Sequence, residues 1–403
     1  MTGLIGVLVL PALAWLLSAH RRAVNWRTVG GAFALQASFG ALVLYLPAGE
    51  AALGALARGV ASLLEFSRAG GEFVFGELAS DSFGFIFAFQ VLPIIVFFAA
   101  LISVLYHIGV MNWIVRLIGG LLQRVLGTSR PESLTAAANI FVGLNEAPLV
   151  VRPFVPAMTA SELFAVMTGG LATIAGSIMG GYAAMGIELK YLIAACFMAA
   201  PGGLMMAKIV MPEVDEPRND FREIGADAGM RSVNLIDAAA SGALTGLRMA
   251  GAVAAMLIAF VALIALLNGL TGWLGGFAGA PDLTVQQILG WLFQPIAWVL
   301  GIPWQDAGLA GSFIGQKLVT NEFVAYLDFL RHREELAEST RAIVTFALCG
   351  FANFGSIAIL LGGLGAIAPG RREDMARLGF KALLAASLAN LMSAALAGVF
   401  LSL

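Results

Sequence analysis

The chain has little charge for its length. Of its 403 residues, 12% are Asp, Glu, Lys or Arg and 60% are hydrophobic, whereas soluble domains carry about 25% charged and about 45–50% apolar residues. A single soluble core cannot bury so many apolar side chains, and a disordered chain would need far more charge. The formal net charge of −2 leaves no basic surface, so we expect no nucleic-acid partner.

Cysteine and histidine are scarce as well, with two and three residues respectively. Cys196 and Cys349 stand in apolar runs, where a free cysteine packs as a small hydrophobic side chain. No CxxC or mixed Cys/His spacing predicts a disulfide scaffold or a zinc site. A P-loop, an HExxH motif and a nucleophile elbow are also absent from the sequence. The sequence therefore gives little support to an enzyme.

What the chain does have is long apolar segments of the roughly 20 residues that a transmembrane helix needs. Six are continuous, and two more, 160–183 and 308–330, are interrupted by polar residues and glycines. The continuous segments are 3–19, 28–47, 84–107, 187–210, 249–269 and 380–402. Three amphipathic or aromatic-rich segments, 48–77, 109–127 and 283–301, suit the membrane interface. The sequence predicts an all-α polytopic membrane protein with about eight transmembrane helices plus interfacial helices.

The positions of lysine and arginine predict the orientation of these helices. With eight spans, all the basic clusters fall on one side of the membrane, which the positive-inside rule identifies as the cytoplasm. The clusters comprise Arg21, Arg22, Arg27, Arg116, Arg124, Arg130, Lys208, Arg218, Arg222, Arg231, Arg331, Arg333, Arg341, Arg371, Arg372 and Arg377. We therefore expect both termini to lie outside the cytoplasm.

Two polar stretches, 131–157 and 338–370, do not fit simple spans. Each has short helical flanks around a polar, glycine-containing centre, with charged residues at both ends on the predicted cytoplasmic side. Non-helical backbone at membrane depth is tolerated where it is buried in protein or lines a wet cavity. We therefore expect two re-entrant helical hairpins, which we name the first and the second hairpin.

Two carboxylates stand inside these apolar surroundings, Glu146 in the first hairpin and Glu322 in the seventh span. Holding a carboxylate at membrane depth costs at least ~2.5 kcal/mol, so such residues mark a substrate or ion pathway by default. A structural pair, for instance Glu146 with Arg152, is the plainer alternative. Two carboxylates also permit acid–base chemistry, which keeps a membrane-embedded hydrolase as a rival hypothesis.

The interrupted fourth span, residues 168–181, contains five glycines together with hydroxyl residues. Such a segment either unwinds, freeing carbonyls for a hard cation, or packs closely against neighbouring helices. If it unwinds, Asn139 and Thr173 offer side-chain oxygens, and carbonyls near Val142 and Ile174 complete an oxygen shell for Na⁺.

The centre of the second hairpin offers groups that suit the hydroxyls of a polar solute. Asn353 and Ser356 are three positions apart, so a helical turn places them on one face. Phe351 either stacks on a flat ring or contributes ordinary apolar packing.

Three motifs of this chain resemble signature segments of the concentrative nucleoside transporter family. They are Gly143-Leu144-Asn145-Glu146-Ala147-Pro148-Leu149, Asn321-Glu322-Phe323-Val324-Ala325-Tyr326 and Gly350-Phe351-Ala352-Asn353-Phe354-Gly355-Ser356. The motifs are long, stand in the family's order, and belong to a resemblance that extends from about residue 84 to the C-terminus. The eight spans resemble the bacterial form, which implies a location in a bacterial inner (plasma) membrane.

The resemblance implies a homotrimer in which a transport domain moves against a scaffold domain and carries nucleosides inward with Na⁺ as coupling ion. The polar linker at 212–232 divides the chain into two halves, and each half contributes to both domains. The scaffold is expected mainly in 1–110 and 212–305, and the transport core in 111–211 and 306–403.

The resemblance also assigns site residues. The first-hairpin tip, Gly143, Leu144, Asn145 and Glu146, faces the nucleobase, with Ile178 on the same side. Glu322, Asn353 and Ser356 hold the ribose hydroxyls, and Phe351 lies close by. Asn139, Val142, Thr173 and Ile174 match the Na⁺ site. The family commonly has Gln-Thr where this chain has Leu144-Asn145, so one potential hydrogen bond to the base is missing.

The expected mechanism is Na⁺-coupled symport by elevator-type alternating access. An H⁺-coupled nucleoside symporter and a passive channel or facilitator for small polar solutes are the alternatives. A structural assembly protein would leave the two intramembrane carboxylates unexplained.

Overall fold

A computed structural model describes residues 2–217, 232–277 and 279–402, and within them the chain is helical and has no strand. Most of the predicted linker, with Arg218, Arg222 and Arg231, lies outside the described residues. The α-helices are α1 (Thr2–Leu16), α2 (Trp26–Leu44), α3 (Pro47–Phe75), α4 (Phe87–Gln90), α5 (Leu92–His107), α6 (Val110–Leu126), α7 (Arg130–Ala138), α8 (Ala160–Ala172), α9 (Gly176–Ala184), α10 (Leu189–Val210), α11 (Leu235–Phe277), α12 (Val285–Val299), α13 (Trp304–Val319), α14 (Glu322–Arg331), α15 (Glu338–Leu348), α16 (Phe354–Ile367) and α17 (Arg372–Leu401). Short 3₁₀ helices cover Arg21–Ala23, Gly76–Ala79, Asp81–Phe83, Ala147–Ala157, Arg333–Glu335 and Pro369–Arg371.

Six of the predicted spans correspond to helical segments of the described chain that are long and apolar enough to cross a membrane. These segments are Trp26–Leu44, Phe87–His107, Ala160–Ala184, Leu189–Val210, Leu235–Phe277 and Pro369–Leu401. The first predicted span forms the 15-residue helix α1, about 22 Å long against a hydrocarbon core of about 30 Å. The predicted seventh span is divided between α13 and α14.

Two elements differ in shape from the prediction. Helix α11 is 43 residues long, about 65 Å, and so extends well beyond the predicted span 249–269 at both ends. Segment 283–301, expected at the membrane interface, forms α12, which joins α13 at an angle of 116°. A bent pair of this kind either counts as a seventh, broken span or forms a re-entrant loop.

Both spans that the sequence predicts to be interrupted contain a break. Helix α8 ends at Ala172, and α9 begins at Gly176 after three non-helical residues. Helix α13 ends at Val319, and α14 begins at Glu322 after Thr320 and Asn321. A carbonyl or amide freed at such a break needs a new partner, because no water is available in hydrocarbon.

The hairpins have one α-helical flank on each side of their centre, with one exception. The second hairpin consists of α15, a break and α16, as predicted. The first hairpin begins with α7, but its second flank, Ala147–Ala157, is a 3₁₀ helix with a kink at Val151 rather than an α-helix. Pro148, Pro153 and Pro156 explain the difference, because proline supplies no N–H for the α-helical hydrogen-bond ladder.

Capping residues determine where helices α7 and α8 begin. Ser129 with Glu132 and Thr159 with Glu162 form reciprocal capping boxes at the starts of α7 and α8. Lys208, near the end of α10, pairs with the Glu132 carboxylate and donates to Ser161 Oγ at 2.8 Å. The ends of α7, α8 and α10 are therefore fastened together at one point.

The buried core lies around the two breaks. Segments Ala160–Ala184 and Leu189–Val210 are each 94% buried over their most apolar stretch, whereas Leu235–Phe277 is 17% buried. Helix α17 packs against α8, α10 and α15, and α11 packs against α5. Gly242 and Gly246 allow the latter contact, since a methyl group at either position would come within 2.9 Å of backbone atoms of α5.

Candidate functional site

The tip of the first hairpin folds back on itself through Glu146. The Gly143 amide donates to Glu146 Oε2 at 2.8 Å. Leu144 is buried and lies against Gly170 of α8, where a methyl group would stand 3.1 Å from Leu144 Cβ. Asn145 is exposed, and its side chain occupies the space beside Gly363 of α16. The tip therefore contacts both the interrupted fourth span and the second hairpin.

Glu146 also faces a cavity of about 330 Å³ between the first hairpin and helices α5 and α11. The cavity is lined by Ala99, Ile102, Ser103, Tyr106, Val142, Glu146, Leu149, Ser177, Ser232, Asp237, Ser241, Gly242 and Thr245. Within the described residues Glu146 forms no ion pair with Arg152, which is exposed. The structural pair considered from the sequence is therefore absent.

Glu322 is the first residue of α14, directly after the break in the seventh span. The preceding residue, Asn321, caps the helix by accepting the Val324 amide at 3.0 Å. The Glu322 side chain is 3% exposed. Its Oε1 accepts the Tyr182 hydroxyl at 2.8 Å, and its Oε2 accepts Asn353 Nδ2 at 3.1 Å. Two neutral donors from two other helical segments thus orient one buried carboxylate.

The second hairpin supplies Asn353 to this carboxylate by capping its own helix. Asn353 Oδ1 accepts the Ser356 amide at 2.8 Å at the start of α16. This bond leaves the Nδ2 group directed at Glu322. Ser356 is buried, and Phe351 is half-buried. The Phe351 amide donates to the Thr173 carbonyl at 3.2 Å, which joins the second hairpin to the break in the fourth span.

The four residues predicted for an ion lie where the first hairpin meets the break between α8 and α9. Asn139 caps the end of α7 and is fully buried. The Gly176 amide donates to the Phe141 carbonyl at 3.0 Å, which fixes the hairpin turn containing Val142 against the break. Thr173 and Ile174 form that break and are buried.

The donor set fits Na⁺. Both polar atoms of the Asn139 side chain are buried without a hydrogen-bond partner among the described residues, an arrangement that is costly unless something else binds there. Thr173 Oγ1 donates to the Gly169 carbonyl at 3.0 Å and keeps its lone pairs free. Neutral oxygens without a carboxylate suit a monovalent hard cation.

The structure thus brings most of the predicted residues into two groups and keeps Glu146 apart from Glu322. One group is the cluster of Glu322, Asn353 and Ser356. The other lies at the break between α8 and α9 and comprises Asn139, Val142, Thr173 and Ile174. Glu146 lines the cavity beside α5 and α11, whereas Glu322 does not line it. Ile178, buried in the first turn of α9, lies next to Ser177, which does line the cavity.

Two buried polar residues of this region do not follow from the sequence reasoning. Tyr182 gave no signal, because a single tyrosine in an apolar helix suits ordinary packing. Lys317 did give one, since it is a charge inside the seventh span next to the Glu322 motif. Its side chain is 4% exposed and donates to the Ala347 carbonyl and to Asn390 Oδ1.

Three family descriptions match successive parts of the chain. The family description "Na+ dependent nucleoside transporter N-terminus" matches residues 5–78, "Nucleoside recognition" matches 88–188, and "Na+ dependent nucleoside transporter C-terminus" matches 191–398. The similarity therefore begins well before residue 84, from which the motifs alone predicted it.

Individual proteins with known names are similar over nearly the full length of this chain. The chain is 49% identical to nucleoside permease NupC of Helicobacter pylori, covering 99% of this chain and 97% of that protein. It is 40% identical to human sodium/nucleoside cotransporter 1, covering 98% of this chain and 63% of the human protein. The solved structure of CNTnw in an inward-facing substrate-bound state matches with a TM-score of 0.96 at 55% identity, covering 100% of this chain and 97% of that one.

Proposed function

Because the chain belongs to the Na⁺-dependent, concentrative nucleoside transporter family and is not an enzyme, we propose that it is a symporter that carries nucleosides into the cytoplasm with Na⁺. The observation that carries the proposal is that the second hairpin joins the break before Glu322 to the break between α8 and α9, through the Asn353–Glu322 and Phe351–Thr173 hydrogen bonds. The break before α14 presents an oriented, buried carboxylate, and close to the break between α8 and α9 lies the buried side chain of Asn139, whose amide has no partner among the described residues. These are a polar-solute site and a cation site within one packed unit.

The proposed sugar site consists of Glu322, Asn353 and Ser356. A carboxylate accepts two hydrogen bonds from adjacent hydroxyls, and an amide both donates and accepts, so the cluster suits the ribose 2′ and 3′ hydroxyls. A hydrogen bond to a charged group contributes about 1.5–3 kcal/mol, more than a neutral one. Phe351, next to this cluster, offers an aromatic face to the sugar or base.

The proposed base site is the tip of the first hairpin. Glu146 and Asn145 offer polar groups, and Gly143 gives the base close access to the backbone. Leu144 is buried against α8 and has no polar group to offer, in keeping with the departure from the family's Gln-Thr. Ile178 contributes apolar contact from α9. We propose that base discrimination rests on Asn145 and Glu146.

Na⁺ is proposed to bind Asn139 and Thr173 through their side chains and Val142 and Ile174 through their carbonyls. The ion supplies a positive charge that orders the first-hairpin tip against the break between α8 and α9. An ordered tip completes the base site, so Na⁺ raises nucleoside affinity, and the nucleoside must raise Na⁺ affinity by the same factor.

The proposed movement is elevator-type alternating access in a homotrimer. The transport domain comprises 111–211 and 306–403, which contain both breaks and both hairpins, here taken as re-entrant. The scaffold comprises 1–110 and 212–305, and includes the sparsely buried helix α11. A bare carboxylate resists entry into a low dielectric, so the half-loaded domain should move poorly.

The test is tracer uptake into proteoliposomes that contain the purified full-length chain, with uridine and adenosine as substrates. An inward Na⁺ gradient should drive accumulation above the external concentration, and a Na⁺ ionophore should abolish it. Uptake that follows a pH gradient and ignores Na⁺ would identify an H⁺ symporter instead. Equilibration without accumulation would identify a passive facilitator.

A further inference from the structure

Lys317 is a buried lysine whose partners carry no formal charge. It lies in the last turn of α13, just before the break that precedes Glu322. Its Nζ donates to the Ala347 carbonyl at 2.9 Å and to Asn390 Oδ1 at 2.7 Å. None of the ion pairs among the described residues includes it. Lys208, also buried, instead pairs with a carboxylate.

One partner of Lys317 lies at a helix end, and the other, Asn390, itself bonds the ends of two helices. Ala347 is in the last turn of α15, where carbonyls have no intrahelical partner. Asn390 of α17 donates through Nδ2 to the Ala172 carbonyl at 2.6 Å and to the Cys349 carbonyl at 3.0 Å. Ala172 ends α8, and Cys349 caps α15. Lys317 and Asn390 together therefore bond three carbonyls, one at the end of α8 and two at the end of α15.

These contacts join the proposed ion site to the proposed sugar site. Thr173 follows Ala172, and its carbonyl accepts the Phe351 amide, two residues before Asn353. A methyl group at Gly350 would come within 2.7 Å of the Ala172 carbonyl oxygen, so glycine permits the approach. Thr173 and Asn353 are thus connected by a continuous series of contacts, made of backbone hydrogen bonds and the bonds of Asn390.

The charge on Lys317 has a physical role at this point. The C-terminal ends of α8 and α15 each carry roughly half a negative charge, and they converge on Asn390. Two like ends repel each other in a low dielectric, where such interactions are strong. A fixed cation that bonds the end of α15 directly and the end of α8 through Asn390 offsets this repulsion without a mobile ion.

We infer that Lys317 and Asn390 are positioning residues that couple the ion site to the sugar site, so that ordering of one break by Na⁺ is transmitted to the other. The inference rests on the proposed Na⁺-coupled function. If Lys317 and Asn390 had a merely structural role, replacing them would lower the stability of the protein and weaken nucleoside binding equally with and without Na⁺. A coupling role changes the ratio of the two affinities, which is the required evidence for energetic coupling.

The experiment measures dissociation constants of uridine and adenosine on the purified full-length protein, in Na⁺ and in choline. Their ratio is the coupling factor, and the Na⁺ affinity with and without nucleoside must give the same factor. The variants are Lys317→Met, Asn390→Ala and Gly350→Ala, the last of which disturbs the contact while keeping both polar side chains. Tyr326→Phe is the matched control, because it removes a 2.9 Å bond from a buried side chain to the Thr345 carbonyl of the same helix α15.

Allosteric coupling factors are typically about 5–150, and we expect each of the three variants to bring the factor close to 1. Binding at saturating Na⁺ should persist, Tyr326→Phe should keep the wild-type factor, and Lys317→Met combined with Asn390→Ala should add nothing to either single change. Variants that keep the wild-type factor, or weaken binding equally in Na⁺ and choline, overturn the inference alone. A wild-type protein whose nucleoside affinity ignores Na⁺ overturns the proposed function itself.

Discussion

Single buried polar side chains divide into two kinds in this protein. The first kind forms hydrogen bonds that link the helix breaks, and its members are Glu322, Asn353, Lys317 and Asn390. Asn139 has no partner at all among the described residues. A satisfied group in a low dielectric stiffens the site, whereas a buried group without a partner is costly, and Asn139 is the side chain that the proposed Na⁺ site uses.

Glu322→Gln should reduce nucleoside uptake on the order of 100-fold, because an amide loses the charge-assisted bonds to the ribose, each worth about 1.5–3 kcal/mol. It also places an NH₂ group against the donors Tyr182 and Asn353. Uptake of tritiated uridine by proteoliposomes measures the loss. Glu334→Gln, at a side chain 88% exposed, is the matched control, and both proteins should insert and assemble. Undiminished uptake by Glu322→Gln would refute the ribose assignment.

Asn139→Ala should raise the Na⁺ concentration for half-maximal uptake about tenfold, since it removes one charge–dipole contact of roughly 1.4 kcal/mol. The measurement is uptake against Na⁺ at constant ionic strength. At saturating Na⁺ the nucleoside KM should approach the wild-type value, which serves as the internal control. An unchanged Na⁺ dependence would place the ion elsewhere.

At the scale of helices, the contact between the two hairpins depends on small residues. The exposed tip residue Asn145 fills the space beside Gly363, whereas nothing lies within 4 Å of the Cβ position of Gly362. Both glycines belong to α16, so alanine has the same effect on helix propensity at either position, up to about 1 kcal/mol. The pair therefore separates hairpin contact from helix stability.

Gly363→Ala should slow uptake at least several-fold, because the added methyl group displaces Asn145 from the second hairpin and disturbs the proposed base site. Gly362→Ala should transport at least as well as the wild type. Initial uptake rates and thermal melting of both variants in detergent test this pair. Equal rates for the two would show that the hairpin contact has no part in transport.

At the scale of the whole molecule, the arrangement has a densely buried part around the breaks and a sparsely buried part around α11. Segment Leu189–Val210 is 94% buried and Leu235–Phe277 only 17%. A helix that exposes most of its apolar surface in one chain faces lipid or other subunits. This contrast suits a moving domain held within a fixed frame, as proposed above.

The proposed topology has both termini outside the cytoplasm. Alkaline phosphatase fused after the last helix should therefore be active in bacterial cells, and green fluorescent protein fused there should be dark. A reporter inserted at the basic loop around Arg21 and Arg22 should behave in the opposite way. An inactive alkaline phosphatase together with a fluorescent green fluorescent protein at the C-terminus would overturn the orientation.

The sequence alone determined the class of protein, six of the long helices and which spans are interrupted. These follow from local composition: some 20 apolar residues predict a span, and polar residues and glycines inside one predict an interruption. The same local pattern underestimated α11, which continues as a helix on both sides of 249–269. It predicted a short helical flank after the tip of the first hairpin but not its type, and three prolines make Ala147–Ala157 a 3₁₀ helix.

Only the tertiary structure decided which side chains meet. Tyr182 reaches Glu322 across 140 residues, and Asn390 reaches Ala172 across 218, distances over which no sequence spacing carries information. It also placed Glu146 on the cavity beside α5 and α11 and closed Glu322 in between two helices and a hairpin. Because no water is available in hydrocarbon, each polar group freed at a helix break must form its hydrogen bond with another segment of the chain. The fold alone determines which segment lies within reach.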